Sequence, residues 1–136
     1  MKEIEKLRKK IDAIDEEILD ALNRRARIVL DIARIKRKKN AKFYSPRREQ
    51  EIIERLTRLN KGPFPNDALK TLYREILSAS LSLEEPLKVA CLGPLATFTH
   101  LAALRHFGSS ASFVPLESIK GVFEAVDTGK AEFGVV

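Results

Sequence analysis

The 136-residue chain has few of the residues that build disulfide frameworks and metal sites. It has one cysteine, Cys91, which excludes an internal disulfide, and with two histidines a Cys/His zinc site is not expected. There is no run of about 18 apolar residues, so no transmembrane helix is predicted. The N-terminus also lacks the apolar stretch of a secretory signal, and we therefore expect a cytoplasmic protein.

The balance of charges is positive, with 25 Lys and Arg residues against 19 Asp and Glu residues and a net charge of +6. Such an excess suits an anionic partner: a nucleic acid, a membrane surface or an acidic small molecule. Composition does not choose among these partners. The positions of the charges carry more information.

The distribution of glycine divides the chain into two parts. Residues 1–85 contain one glycine, Gly62, and their apolar periodicity predicts helices, whereas residues 87–136 contain the other five. Pro86 ends the last of these helices. We therefore predict two domains: an all-helical domain at residues 1–86 and a small α/β segment at residues 87–136.

Three helices are predicted in the first domain. A heptad pattern of apolar residues runs from about residue 3 to residue 39, the second helix starts at Ser45-Pro46, and the third starts near Asn66. The first helix would be roughly 55 Å long at 1.5 Å per residue. A small monomer cannot cover an apolar stripe of that length, so we expect a partner chain.

In the second part, short apolar runs alternate with helical patterns. Strands are predicted at residues 88–92, 111–115 and 131–136, and helices at residues 97–107 and 118–128. Thr97 or Thr99 is able to cap the first of these helices. Strands that alternate with helices predict a parallel βαβαβ sheet.

Cations lie in and beside the apolar seam of the first helix, with Arg25 at a core position and Arg8 and Lys36 at positions next to it. Arg25 stands in a series of core positions that otherwise carries isoleucine, and Lys36 lies 11 residues later on the same face. Arg8 lies 17 residues before Arg25, about 25 Å away along a helix, so it joins the same site only from another chain. The alternatives are a register-setting or snorkelling arginine at position 25 and solvated cations at the other two positions.

Polar residues also interrupt the apolar faces of the other two helices. Ser80 and Glu84 continue the stripe of the third helix, and Glu49, next to Arg48 in the first turn of the second helix, is able to face inward. The alternatives are fraying at the end of the third helix and a favourable interaction of Glu49 with the helix dipole. Together these residues predict a cationic bundle pocket for a small di-anion, without a metal-ligand set or a nucleophile–base pair.

Several stretches resemble a known family. Residues 7–25 (LRKKIDAIDEEILDALNRR), 32–36 (IARIK), 44–53 (YSPRREQEII) and 74–84 (REILSASLSLE) are similar to the all-helical class of chorismate mutase. Residues 88–108 (KVACLGPLATFTHLAALRHFG) and 115–134 (PLESIKGVFEAVDTGKAEFG) resemble the start of a prephenate dehydratase domain. This order is that of the bifunctional chorismate mutase–prephenate dehydratases of phenylalanine biosynthesis.

The resemblance implies an intertwined helical homodimer with two active sites, each completed by an arginine of the other chain. Arg25 and Arg8 of the partner subunit would bind the two carboxylates of chorismate. Lys36 would contact a carboxylate and the ether oxygen, and Glu84 would form a hydrogen bond with the same ether oxygen. Glu49, Ser45 and Ser80 would bind the ring hydroxyl, and Arg48 would be a supporting residue. Arg25, Lys36 and Glu84 would be the catalytic residues.

The implied reaction is a pericyclic rearrangement of chorismate to prephenate, which needs no base, nucleophile, metal or cofactor. The protein orients the substrate and stabilises charge on the oxygen of the breaking C–O bond. Some relatives have glutamine at position 84. A carboxylate cannot donate a hydrogen bond to an ether oxygen, so we expect Glu84 to work in its protonated form. Many relatives have an acid at position 45, so ring-hydroxyl binding at Ser45 is expected to be weaker or to use the backbone.

The dehydratase part is expected to be inactive in this chain, because most motifs of that family lie beyond residue 136. Its turn motif is also altered, with Leu95 and Ala96 where GPEGTF is common.

Two other functions are alternatives to chorismate mutase activity. The first is a catalytically silent module with the chorismate mutase fold that serves regulation or dimerisation. The second is a basic helical module that binds nucleic acid through residues 34–42 (RIKRKKNAK). That run lacks interleaved aromatic residues, so a solvated cationic loop explains it more simply. We therefore expect a small di-anionic substrate and neither nucleic acid nor membrane as a partner.

Overall fold

The computed structural model describes residues 1–95 and 97–136; Ala96, in the altered turn motif, lies outside the described residues. These residues form five helices and three strands. In chain order the elements are α1 (Lys2–Lys39), α2 (Pro46–Leu59), α3 (Asn66–Glu84), β1 (Lys88–Leu92), α4 (Phe98–Phe107), β2 (Ser112–Leu116), α5 (Ile119–Asp127) and β3 (Phe133–Val135). The predicted fold class is confirmed, and the predicted boundaries lie close to the observed ones.

Local signals account for where the first helices begin and end. Glu3 and Glu5 lie in the first turn of α1 and four basic residues lie in its last turn, which matches the helix dipole at both ends. Asn40 then ends α1 in the left-handed conformation, with φ of 56°. Ser45 caps α2, and Pro46 takes the first helical position, where a missing N–H costs nothing.

The three strands form one parallel sheet in the order β2-β1-β3. β1 is central, with Val89 opposite Phe113 of β2 and opposite Phe133 of β3. Helices α4 and α5 supply the crossovers that parallel strands require. β3 is shorter than the predicted strand at residues 131–136: Ala131 and Glu132 lie before it in the loop from α5, and Val136 lies after it.

Alternate residues of β1 face two different cores. Ala90 packs against α5 through Val122 and Ala125, while Val89 packs with Ala103 of α4. Such alternation follows from the two-residue period of a strand, and it buries both faces of the central strand. Cys91 is also fully buried, and burial raises the pKa of its thiol.

The chain divides into two compact units, Met1–Ala41 and Lys42–Val136. The first is α1 alone, along which eleven large apolar side chains are exposed. In the second, Ile52 and Ile53 of α2 pack against Leu77 of α3. Leu59, which the periodicity assigns to the same buried face of α2, is instead 66% exposed because it is the last residue of that helix.

The second unit joins the end of the helical half to the α/β segment. Tyr44 and Leu81, from the helical half, pack against the same core as Val89 and Ala103. Residues 87–136 are therefore docked on α3 and on the start of α2, a point on which the sequence made no prediction. None of the helices among the described residues has the length and apolar character needed to cross a membrane.

Candidate active site

The three predicted cations of α1 lie in different environments. Arg8 is largely exposed, with Nη1 3.3 Å from Glu5 Oε1 on the same helix. Arg25 and Lys36 are half-buried. The neighbouring Arg24 is different from Arg25: its side chain is 66% exposed, and its Nε lies 2.9 Å from Asp20 Oδ2. Two consecutive arginines of α1 therefore differ in exposure, Arg25 being half-buried and Arg24 exposed.

The first turn of α2 brings Ser45 and Glu49 together. The Ser45 Oγ accepts a hydrogen bond from the Arg48 backbone N–H at 3.3 Å, and the Ser45 carbonyl accepts one from the Glu49 N–H at 3.2 Å. Glu49 is half-buried, so it faces inward as predicted. Arg48 is mostly exposed, and its Nη1 lies 4.0 Å from Glu51 Oε2.

The environment of Glu49 favours its neutral form. Burial raises the pKa of the Glu49 carboxyl, and the positive charge of Arg74 on α3 partly opposes this shift. Tyr44, directly before the cap, is affected by the same groups: burial and the nearby Glu49 raise the pKa of Tyr44 to about 12, again against Arg74. Tyr44, Glu49 and Arg74 therefore form one electrostatic cluster.

Ser80 and Glu84 share a face of α3, four residues apart. Ser80 is half-buried and its Oγ donates a hydrogen bond to the Ile76 carbonyl at 2.7 Å. Glu84 is the last helical residue and is also half-buried, and the Glu85 N–H still bonds to the Leu81 carbonyl at 2.9 Å. The last turn of α3 is therefore formed, and Glu84 lies within it.

Tyr44 and Arg74 are residues to which the sequence analysis assigned no role. A partial signal for Tyr44 was present: it precedes the N-cap of α2, where an apolar residue often packs against an apolar fourth helical residue, although here that residue is Glu49. No local sequence signal indicated a role for Arg74, because its electrostatic interaction with Glu49 depends on how α2 packs on α3.

A separate cleft of about 800 Å³ lies between α3 and α4. Lys70, Arg74 and Arg105 contribute charge, and Phe98 and Leu101 form an apolar wall. It contains none of the predicted substrate-binding residues. Among the described residues, no group of three or more His, Cys, Asp or Glu side chains is arranged to hold a metal ion.

Two family models match the chain, and they divide it near residue 86. Residues 7–85 match the model for chorismate mutase type II, and residues 89–136 match the model for prephenate dehydratase. Two curated relatives are bifunctional chorismate mutase/prephenate dehydratases. The one from Aquifex aeolicus is 54% identical over 140 residues, covering 100% of this chain and 39% of the relative. The one from Pseudomonas aeruginosa is 43% identical over 139 residues, covering 98% and 38%. The chain therefore spans about two-fifths of the length of these relatives.

Solved structures agree with the first of these matches. The structure of chorismate mutase (form II) from Thermus thermophilus superposes with a TM-score of 0.59 and 43% sequence identity, covering 60% of this chain and 93% of that one. Form I of the chorismate mutase from the same organism gives a TM-score of 0.56 and 40% identity, with coverage of 57% and 96%.

Proposed function

Because the chain belongs to the type II chorismate mutase family over residues 7–85, we propose that it catalyses the rearrangement of chorismate to prephenate. The observation that carries the proposal is the match of this region to the family model and to a solved chorismate mutase at 43% identity. The half-buried Arg25, Lys36, Ser80 and Glu84 support it, since polar groups partly shielded from water suit the recognition of a small di-anion.

The reaction requires the protein to orient the substrate and to stabilise charge, and nothing more. In one step the C–O bond of the ether breaks while a new C–C bond forms, so no proton or leaving group passes to the enzyme. Arg25 is suited to a bidentate grip on one carboxylate, and Lys36 to the negative charge that grows on the ether oxygen. Glu84, when protonated, donates to that same oxygen, and Glu49 with Ser45 and Ser80 holds the ring hydroxyl.

The proposal includes a homodimer built on α1. The exposed isoleucines and leucines along this 38-residue helix form an apolar surface of the kind that a second copy covers. Arg8 and Arg25 are too far apart on one straight helix to hold one small substrate. Arg8 of the partner subunit therefore completes each site.

The first test compares Arg25→Ala with Arg24→Ala, two arginines in neighbouring positions of one helix. We expect Arg25→Ala to lower kcat/KM for loss of chorismate absorbance by about 10²–10³-fold, the usual cost of one preorganised charged donor. Arg24→Ala removes an exposed ion pair with Asp20 and should leave the rate within about twofold. Equal losses in the two variants, or no turnover by a folded wild-type dimer, would leave the silent regulatory module as the better account.

Mixing two inactive variants tests the shared site. A heterodimer of Arg8→Ala and Arg25→Ala chains has one site with both arginines and one with neither. Random exchange of subunits should therefore restore about a quarter of wild-type activity. If Arg8 belonged to the same site as Arg25 of its own chain, mixing would restore nothing. If Arg8 belonged to no site, the Arg8→Ala variant would be active before mixing.

The remaining parts of the proposal concern the rest of the chain. A functional boundary at residue 86 agrees with the edges of the two family matches. Phenylpyruvate formation from prephenate measures whether these 136 residues have dehydratase activity, and we expect none. A cytoplasmic location suits a pathway enzyme of aromatic amino-acid biosynthesis.

A further inference from the structure

Three aromatic rings join the two halves of the chain. The Tyr44 ring lies 5.1 Å from the Phe133 ring and 6.1 Å from the Phe107 ring, and those two rings are 5.5 Å apart. Tyr44 belongs to the region that matches chorismate mutase, and both phenylalanines belong to the region that matches prephenate dehydratase. Their interplanar angles of 43–79° are tilted and edge-to-face arrangements, in which aromatic pairs attract.

Polar contacts dock the same segment on α3. The Ser109 N–H donates to the Glu75 carboxylate at 3.0 Å, and the Ser109 hydroxyl donates to the same carboxylate. The Ser110 N–H donates to Ser78 Oγ at 3.1 Å, one turn along α3. Arg74 Nη1 donates to the His106 carbonyl at 3.1 Å. The loop after α4 is therefore held along one face of α3.

Both sets of contacts lead to the first turn of α2. Tyr44 is covalently next to Ser45, which caps the helix, and Arg74 lowers the pKa of the half-buried Glu49 carboxyl against the larger effect of burial. The segment thus contacts the two side chains that interact electrostatically with Glu49: Phe133 contacts the Tyr44 ring, and the His106 carbonyl accepts from the Arg74 guanidinium. Ser45 and Glu49 are the residues proposed to bind the ring hydroxyl of the substrate.

We propose that residues 87–136 act as a positioning element for the mutase site, with Phe133 and Phe107 holding Tyr44 and thereby the first turn of α2. Only the predicted change in KM rests on the proposed function; the contacts that hold Tyr44 do not depend on it. Tyr44 is a positioning residue: it sets where Ser45 and Glu49 lie. Since these residues grip the substrate in its ground state and its transition state alike, loosening them raises KM more than it lowers kcat.

Phe133→Ala tests the idea against Phe123→Ala, which removes a ring from the same segment that is 63% exposed. Losing an aromatic pair corresponds to about a 2- to 12-fold change in an equilibrium, so Phe133→Ala should raise KM within that range with kcat changed by less than about twofold. Phe123→Ala should leave both constants unchanged. Phe133→Tyr keeps the ring and should restore the wild-type KM, because Phe133 is 37% exposed and its new hydroxyl can reach water.

Hydrogen exchange supplies a readout that does not depend on activity. The Arg48 and Glu49 N–H groups both bond to Ser45, so their exchange by NMR reports the first turn of α2. We expect faster exchange at these two amides in Phe133→Ala than in Phe123→Ala, with both proteins folded by circular dichroism. Equal exchange in the two variants overturns the proposal, and so does a KM change without an exchange change. If the wild type does not convert chorismate, the proposed function fails, and exchange alone decides the positioning role.

Discussion

Gly108 offers a sharp test of whether the α/β segment packs on α3. It ends α4 with φ of 76° and ψ of 172°, a combination that side-chain-bearing residues rarely adopt. A Cβ at this position would lie 2.3 Å from Ser78 Cβ and 2.6 Å from Ser78 Oγ, well inside van der Waals contact. Gly108→Ala therefore forces either the loop or α3 to move.

The expected loss of unfolding free energy in Gly108→Ala has two parts, and a matching substitution at a second glycine separates them. The backbone cost of alanine at positive φ is about 1–3 kcal/mol, and overpacking against Ser78 adds about 1–3 kcal/mol. Gly129 has φ of 79° and no atom within 4 Å of an added Cβ, so Gly129→Ala incurs the backbone part alone. We expect Gly108→Ala to lower the free energy of unfolding by about 2–6 kcal/mol and Gly129→Ala by about 1–3 kcal/mol.

Urea unfolding followed by circular dichroism measures both variants. A third protein, Gly108→Ala with Ser78→Gly, removes the side chain that the new methyl group meets, and a double-mutant cycle should show a favourable coupling of about 1 kcal/mol or more. The reasoning is refuted if the two alanine variants lose equal stability and the cycle shows no coupling. That result would mean that Gly108 and Ser78 are not in contact in solution.

Two further predictions concern carboxyl groups. Glu84→Gln should remove the fall in mutase rate at alkaline pH, because an amide donates a hydrogen bond at any pH. An identical pH–rate profile in variant and wild type would show that Glu84 is not needed as an acid. Burial raises the pKa of Glu49 in the folded state above its value in the unfolded chain. The contribution of Glu49 to stability is therefore present below the unfolded pKa, and it is lost as pH rises through the folded pKa. Glu49→Gln should therefore melt higher than wild type at about pH 8 and no higher at about pH 4, and a gain of equal size at both values would contradict the burial argument.

Local signals in the sequence determined most of the elements of this fold. The serine and proline at positions 45–46 predicted the start of α2, Pro86 followed the end of α3, and apolar runs between helical patterns predicted a parallel sheet. Such signals act over a few residues, through caps, fixed φ angles and apolar periodicity, so they can be read without a structure. The heptad pattern likewise singled out Arg25 as a charged residue in a core position, and Arg25 is half-buried.

The roles of the candidate site residues had a different source. Periodicity predicted polar groups on apolar faces at Arg25, Ser80 and Glu84, and left open whether they bind a ligand. The resemblance to a family supplied the substrate and the reaction. The assignment of each residue to an atom of chorismate stays a prediction, tested by the variants above.

Tertiary structure alone decided how distant parts of the chain meet. The strand order β2-β1-β3, the contact of Gly108 with Ser78, and the cluster of Tyr44 with Phe107 and Phe133 join residues tens of positions apart. These contacts depend on the shapes of surfaces that exist only after helices and sheet have formed, and no local period encodes them. The sequence therefore determined the elements and the chemistry that they carry, and packing decided that the α/β segment rests beside the first turn of α2.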